Sequence, residues 1–191
     1  MNKVNIAIAG GPCTGKSVLA THLFSHLKME GFDYDLVQEE CRKLKKEFGA
    51  FTDPFERFYF WIQQEREELR SIASNGFVTD KPLFHYYAQV KQFSSSPRDK
   101  LAYRELFRMS MELGDRYQLI IMAEDPEEVP YKIDQSRISK KEMARERHQI
   151  VRSFVDHMWP EKLLLVNGGL EARTNQAMEK IKEIHQAYST Q

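Results

Sequence analysis

A glycine-rich motif near the N-terminus constrains the fold of this chain most. Residues 10–17 spell Gly-Gly-Pro-Cys-Thr-Gly-Lys-Ser and fit the pattern G-x4-G-K-[ST]. Residues 4–9 before the motif are apolar except for Asn5, and partly β-branched. Residues 15–29 carry apolar side chains at helical spacing. A strand, a glycine turn and a helix in this order are the context of a phosphate-binding P-loop, so the motif predicts an α/β fold.

The rest of the chain repeats the alternation of apolar strands with helical patterns. Four more strands are predicted, at residues 34–38, 77–79, 119–123 and 163–166. Helices are predicted at 39–48, 54–72, 83–93, 101–113, 140–157 and 174–188, with a polar loop at 94–97. This spacing favours βαβ crossovers and a parallel sheet covered on both faces. We therefore predict one P-loop NTPase domain over residues 1–191: a three-layer α/β/α fold with a five-stranded parallel sheet and a helical lid near 130–157.

Composition restricts the class of protein. The chain has 28 Lys plus Arg and 28 Asp plus Glu, a balance that disfavours binding of nucleic acid by a uniformly basic surface. The two cysteines, Cys13 and Cys41, have no zinc or disulfide spacing, which indicates a reducing setting. No apolar run reaches transmembrane length, and the N-terminal one is too short for a signal peptide. We expect a cytoplasmic protein without a membrane partner.

The P-loop residues predict a site for ATP and Mg²⁺. Its glycines allow backbone N–H groups to face a phosphate, and the following helix N-terminus favours negative charge. Lys16 is expected to reach the β- and γ-phosphates, and the Ser17 hydroxyl to bind Mg²⁺. The residues expected to hold the nucleotide are Gly11, Pro12, Cys13, Thr14, Gly15, Lys16 and Ser17.

An acidic residue, Asp80, ends the third predicted strand. At the carboxyl end of a parallel strand it would lie in the ligand crevice. There Asp80 could accept a proton from an attacking hydroxyl, or bind Mg²⁺ through water. The alternative is that Asp80 caps the next helix, whose first turn Pro82 would suit.

A basic segment between residues 137 and 152 contains six Lys or Arg and two Glu. Phosphoryl transfer places negative charge on the transferred group, which arginines of a closing lid can stabilise. The lid candidates are Arg137, Arg145 and Arg147, and the alternative is an ordinary solvated helix face.

Aromatic residues crowd the segment 55–61. One of them, Tyr59 or Trp61, is expected to flank the ring of an acceptor, with Gln64 donating a hydrogen bond to it. Core packing explains the same pattern equally well, and His85, shortly after Asp80, has the same two explanations.

The order of these motifs resembles the P-loop kinases typified by bacterial ribosylnicotinamide kinase domains, a family of AAA-type ATPase domains within the nucleoside and nucleotide kinases. The resemblance spans nearly the whole chain. It depends on the P-loop, on Glu-Glu-Cys-Arg at 39–42, on Asp-Lys-Pro-Leu at 80–83, on the segment 117–137, and on Gly-Gly-Leu-Glu-Ala-Arg at 168–173.

The resemblance implies roles for individual residues. Asp80 corresponds to the family's catalytic acidic residue, and Arg137 to the arginine at the start of the lid; with Lys16 these are the expected catalytic residues. Glu39 and Arg42 correspond to residues that line the acceptor site. The segment 168–173, with Gly169 and Arg173, corresponds to a loop beside adenine.

Two positions depart from the family pattern. Lys81 replaces a common arginine, and Gln135-Ser136 replaces a common Asp-Gly pair. A lysine lacks the bidentate fork of arginine, so the geometry of its ion pair should differ.

The resulting expectation is an ATP-dependent kinase that transfers the γ-phosphoryl group to a hydroxyl of a nucleoside-like small molecule, such as ribosylnicotinamide or a related nucleoside or nucleotide. One alternative is a kinase for a nucleic-acid hydroxyl, at a 5′ end or on a modified base. Another is a P-loop ATPase or switch without a small-molecule acceptor, for which Glu124 and Asp125 after the fourth strand would be the acidic pair.

Overall fold

The computed structural model describes residues 3–39, 44, 47, 53–93, 95–123 and 141–190. The elements in chain order are β1 (Ile6–Ala9), α1 (Lys16–Met29), β2 (Tyr34–Val37), α2 (Glu56–Leu69), β3 (Gly76–Thr79), α3 (Phe84–Phe93), α4 (Pro97–Glu112), β4 (Leu119–Ala123), α5 (Lys141–Met158), β5 (Leu163–Val166) and α6 (Leu170–Ser189). A 3-10 turn, Pro160–Lys162, precedes β5. Within the described ranges, every helix is too short or too polar to cross a membrane.

The five strands form one parallel sheet in the order β2-β3-β1-β4-β5. The central strand β1 pairs with β3 through Ala7 and Thr79, and with β4 through Ala7 and Ile120. The predicted P-loop NTPase fold is confirmed. The chain changes direction across the sheet at β1, so the P-loop leaves the sheet at the point where α/β proteins bind ligands.

Helices cover both faces of the sheet because the side chains of β1 alternate between two apolar cores. Ile6 and Ile8 pack with α1 and α6, through residues such as Leu23 and Ile181. Ala7 and Ala9 face the other core, where α2 to α5 supply most of the aromatic side chains. Small residues on β1 leave room for this aromatic layer, and the predicted three-layer arrangement is thereby confirmed.

Two helices begin earlier than the sequence pattern suggested. The predicted loop at 94–97 is wrong at its end, because Pro97 is already the first residue of α4. Ser96 Oγ accepts from Asp99 N at 3.1 Å, and Asp99 Oδ2 accepts from Ser96 N at 2.8 Å, a reciprocal capping box. At α6, Gly169 has extended backbone and the helix begins directly at Leu170 instead of at residue 174.

A buried polar network joins the end of α2 to the segment that connects β3 with α3. The Tyr117 hydroxyl donates to Glu68 Oε1 at 2.9 Å and accepts from Leu83 N at 3.0 Å. Arg116 Nη1 donates to Glu68 Oε2 at 3.3 Å. Burial raises the pKa of Glu68 to about 8 even though Arg116 and Tyr117 oppose this effect. The network holds the chain just beyond Asp80.

Candidate functional site

The P-loop makes its turn with three residues in the left-handed backbone region. Gly10 has φ +134° and Gly15 has φ +76°, values that only glycine adopts without strain, and Cys13 has φ +64°. The Lys16 ammonium donates to Gly11 O at 2.5 Å. These conformations connect the end of β1 directly to the first turn of α1, where Lys16 and Ser17 lie.

Two histidines from other elements bind the start of the P-loop. The Gly10 N–H donates to His85 Nε2 of α3, and the Gly11 N–H donates to His148 Nδ1 of α5, each at 3.2 Å. Both histidines are buried. Helices α3 and α5 therefore hold the loop from one face of the sheet.

Helix α5 lies so close to the loop that only glycine fits at position 11. A Cβ on Gly11 would lie 2.6 Å from Ala144 O and 2.8 Å from His148 Cβ. Both distances are shorter than a carbon makes with its neighbours in folded proteins, and Ala144 O belongs to the helix backbone. The C-terminal part of the predicted lid is thus docked on the P-loop.

The electrostatic environment at the loop is positive. Burial lowers the pKa of His85 well below its ordinary 6.5, and nearby cations lower it further. His85 is therefore a neutral acceptor for the Gly10 N–H. The charged groups that lower the pKa of His85 are Lys81, Lys16, Arg147 and His148. Positive charge gathered at one loop suits a polyphosphate ligand.

Asp80 leaves the sheet next to the P-loop, since β3 is a direct neighbour of β1. Its side chain is buried, and Oδ1 has no hydrogen-bond partner among the described residues. The interpretation as a helix cap is wrong, because α3 begins only at Phe84. A buried carboxylate oxygen without a donor is costly, so Oδ1 is suited to a hydroxyl or a metal-bound water of a ligand.

Two predicted site residues, Glu39 and Gln64, contact the residues that flank Asp80 in the chain. Lys81 Nζ and Glu39 Oε1 form an ion pair at 3.1 Å, which joins the ends of β2 and β3. Lys81 thus makes one contact with the Glu39 carboxylate through its ammonium group, whereas an arginine at this position could make two parallel hydrogen bonds. The fully buried Gln64 donates from Nε2 to Thr79 Oγ1 at 3.3 Å.

The two aromatic candidates differ in their position relative to Gln64: Trp61 lies three residues before it on α2, on the same side of the helix. Tyr59 is 42% exposed and lies on a different side of α2. Trp61 is buried in the aromatic core. Glu39 and Gln64 thus contact the two residues that flank Asp80 in the chain. Of the two aromatic candidates, only Trp61 lies on the side of α2 that carries Gln64.

The lid candidates are only partly described. Arg147 donates to Gln92 Oε1 on α3 from Nε at 2.8 Å and from Nη2 at 2.5 Å. Arg145 is half-buried on α5. The candidates Arg42 and Arg137, the altered turn at 135–136 and the acidic pair at 124–125 all lie outside the described residues.

The segment predicted beside adenine adjoins the P-loop. Gly169 is the N-cap of α6, and its carbonyl accepts from Arg173 N at 3.0 Å. A Cβ on Gly15 would lie 3.9 Å from Arg173 Nη1, so this guanidinium is next to the loop. Arg173 Nε is buried without a hydrogen-bond partner among the described residues.

The site residue that sequence reasoning missed is His148. A weak signal was present: Ala144, His148, Val151 and Val155 recur at helical spacing, and all four are buried. A histidine in the apolar stripe of an otherwise charged helix indicates a specific buried contact.

The residues present fit a nucleotide and Mg²⁺. The P-loop supplies the turn and Lys16, Arg173 supplies a second cation, and Ser17 and Asp80 supply oxygen atoms, which Mg²⁺ prefers as ligands. Asp80 Oδ1 has the unmet bonding capacity that such a role requires.

Comparison with known proteins agrees with this geometry. No curated protein is similar enough in sequence to serve as a relative. One solved structure of similar fold is the NadR protein in complex with NAD and AMP-PNP, at 14% identity and a TM-score of 0.70, covering 96% of this chain and 49% of that one. Another is NadR in complex with NR, at 16% identity and a TM-score of 0.70, covering 96% and 51%.

The chain spans about half the length of these NadR chains. At such identities the likeness shows a shared fold. A family model described as an AAA domain matches residues 5–173, which is most of the chain. With a P-loop at the centre of its sheet, this chain belongs to the AAA domain family of P-loop NTPase-like proteins.

Proposed function

We propose that the protein is an ATP-dependent kinase that transfers the γ-phosphoryl group to a hydroxyl of a nucleoside-like small molecule. The observation that supports this proposal best is the buried Asp80 carboxyl, whose Oδ1 has no donor among the described residues, next to the P-loop. NadR, which shares the fold, has been solved with AMP-PNP, NAD and NR, and this supports a nucleotide and a nucleoside-like molecule as the two ligands.

The P-loop would hold the donor. Backbone N–H groups at the start of α1 and the Lys16 ammonium would bind the β- and γ-phosphates. The Ser17 hydroxyl would hold Mg²⁺ directly and Asp80 would hold it through a water molecule, so a carboxylate oxygen of Asp80 stays available to the acceptor. Mg²⁺ would supply positive charge against the phosphate oxygens. Arg173, whose guanidinium lies beside Gly15, would contact the nucleotide from the side of α6.

Asp80 would position and deprotonate the acceptor. The acceptor hydroxyl oxygen forms a bond to the γ-phosphorus, the bond from that phosphorus to the β,γ-bridging oxygen breaks, and ADP leaves with the electron pair. The hydroxyl proton passes to a carboxylate oxygen of Asp80. Lys16, with Arg145, Arg147 and Arg137 of the lid, would stabilise the charge on the transferred group.

The acceptor would lie between the ends of β2 and β3. Glu39 and Gln64 offer a carboxylate and an amide beside Asp80, which suits the recognition of ribose hydroxyls. Arg42, three residues after Glu39 in the sequence, remains a candidate, and so does Tyr59 at its exposed position on α2.

Turnover of MgATP with a panel of nucleosides, nucleotides and 5′-hydroxyl oligonucleotides tests the proposal. Formation of ADP together with a phosphorylated nucleoside-like product is expected. Asp80→Asn should lower kcat by about 10²-fold or more, because the proton acceptor is lost while the shape is kept. Lys16→Met should lower kcat/KM by a similar factor.

Matched controls are available at exposed positions that are not among the candidate site residues. Asp115→Asn removes a fully exposed carboxylate before β4, and Lys100→Met removes an exposed lysine of α4, so both should retain activity. ADP formation that is independent of every acceptor, or that is unchanged in Asp80→Asn, would contradict the kinase proposal. Product formation only with oligonucleotides would favour the nucleic-acid alternative.

A further inference from the structure

A cluster of two histidines and a glutamate lies where α1 packs against the first turn of α6. His22 and His26 are one helical turn apart on α1, and Glu171 is the second residue of α6. His22 Nε2 lies 3.7 Å from Glu171 Oε2, and His26 Nε2 lies 3.8 Å from Glu171 Oε1. The three side chains therefore direct one ligand atom each toward a common point at the protein surface.

The partners of the other ring nitrogens determine the tautomer of both histidines. His26 Nδ1 contacts the carbonyl oxygen of His22 at 3.0 Å, so Nδ1 carries the proton. His22 Nδ1 contacts Thr174 Oγ1 at 3.0 Å, and this hydroxyl already donates its own proton to Leu170 O at 2.9 Å. Nδ1 of His22 is therefore also a donor.

With Nδ1 protonated, a neutral imidazole presents a lone pair at Nε2. Two lone pairs and a carboxylate thus face one another, an arrangement that a cation between them would stabilise. Direct ion pairs do not account for it fully, because 3.7 Å and 3.8 Å exceed the length of a hydrogen bond from a protonated imidazole to a carboxylate. A histidine that donates Nδ1–H to a carbonyl or hydroxyl while offering Nε2 is the usual arrangement of a metal ligand.

We propose that His22, His26 and Glu171 bind a first-row divalent transition-metal ion, with Zn²⁺ as the reference. Their ligand atoms lie within 4.8 Å of one another, and tetrahedral zinc with bonds of about 2.0–2.1 Å places its ligands roughly 3.3 Å apart. The ligand atoms would therefore approach one another by up to about 1.5 Å on binding. The side chains can move in this way, because Glu171 is 67% exposed and His22 and His26 are 31% and 25% exposed. The fourth position would hold water.

The chemistry of the ligands selects the class of ion. Two imidazole nitrogens suit Zn²⁺, Co²⁺, Ni²⁺ or Cu²⁺, whereas Mg²⁺ and Ca²⁺ prefer oxygen atoms. The cluster is also separate from the candidate Mg²⁺ position, since His22 lies five residues beyond Ser17 on α1. The ion would join α1 to α6 two residues before Arg173.

Zinc titration of the 191-residue chain, treated with EDTA and free of nucleotide, tests the site. Competition with a chromophoric chelator should show one tight Zn²⁺ site per chain, and Co²⁺ should give a visible d–d spectrum. His26→Gln and Glu171→Gln should each weaken Zn²⁺ binding by more than about tenfold. His157→Gln, an exposed histidine on α5, is the matched control and should leave the affinity within about twofold of wild type.

The hydrogen bond behind His22 provides a second test. Thr174→Val keeps the buried shape but removes the acceptor of the His22 Nδ1–H, so Zn²⁺ affinity should fall by about 10- to 100-fold. Saturating Zn²⁺ should raise the Tm of wild type and of His157→Gln, but not that of Glu171→Gln. A cooperative thermal transition of Glu171→Gln without Zn²⁺ also shows that this variant is folded. Absence of zinc binding, or unchanged affinity in the ligand variants, would overturn the proposal.

Discussion

Gly11 carries two constraints at once. Its N–H donates to His148 Nδ1, and its Cα faces the backbone of α5 at Ala144. Cys13, two residues further, has left-handed backbone although it is not glycine. The P-loop conformation is thus determined by contacts with a distant helix as well as by the residues of the motif.

Gly11→Ala should destabilise the fold by about 1–3 kcal/mol, because the new methyl group overlaps Ala144 O and forces α5 away from the loop. Urea unfolding measures the loss, and nucleotide affinity should fall with it. Gly169→Ala is the matched control: in the described part of the chain nothing lies within 4 Å of its added Cβ. As a cap substitution it should cost no more than about 1 kcal/mol.

His148→Leu should also cost about 1–3 kcal/mol, since the buried Gly11 N–H loses its acceptor. His148→Asn places an amide oxygen near the position of Nδ1 and should recover part of the loss. Denaturant midpoints of the two variants, compared with wild type, distinguish the missing acceptor from a simple volume change. Equal destabilisation by Leu and Asn would contradict this explanation.

At the scale of elements, local sequence predicted most helices and strands but not every boundary. The start of α4 was missed because Pro97 suggested a loop, although Ser96 and Asp99 have the spacing of a capping box. The docking of α5 on the P-loop, unlike the capping box, is a long-range contact that local sequence does not predict. It joins residues 137 positions apart, and helical periodicity shows only that His148 is buried, not what it contacts.

Ser96→Ala should destabilise the protein by about 0.5–2 kcal/mol, because the N–H of Asp99 loses its side-chain acceptor at the first turn of α4. Asp99→Ala should have a similar effect through Ser96 N. Ser153→Ala, at an exposed position inside α5, is the control and should change the free energy of unfolding by less than about 0.5 kcal/mol. Thermal unfolding of the three variants makes the comparison.

At the scale of the whole molecule, the buried Glu68 makes stability depend on pH. Its pKa is about 8 in the folded protein, above the ordinary 4.5. The folded state therefore keeps this proton at pH values where the unfolded chain has released it. The contribution of Glu68 to stability is full below pH 4.5 and is lost as pH rises through 8.

Glu68→Gln should remove this dependence while its amide oxygen still accepts from the Tyr117 hydroxyl. Between pH 5 and 8, the free energy of unfolding should fall less steeply in the variant, by up to about 1.4 kcal/mol per pH unit. Urea unfolding across this range is the measurement. Glu67→Gln, whose carboxylate pairs with Arg70 at the surface, should retain the slope of wild type.

The central part of the site was predictable because the P-loop and Asp80 each follow a recognisable strand, and the sheet order brings those strands together. The ion pair between Glu39 and Lys81 and the burial of Gln64 required the fold, since they depend on how the ends of β2 and β3 meet α2. The exposure of Tyr59 could not be predicted, because the number of aromatic residues in a helix does not show which of their rings face outward.

The seating of α5 on Gly11 has a thermodynamic consequence. A close-packed contact does not stretch, so a shift of the loop backbone by a fraction of an ångström moves α5 as a rigid body, together with Arg145 and Arg147. If a nucleotide draws the loop into place, part of its binding free energy would then depend on the arrangement of these arginines. By thermodynamic reciprocity, a partner that fixes α5 in that arrangement would raise the affinity for the nucleotide by the same factor.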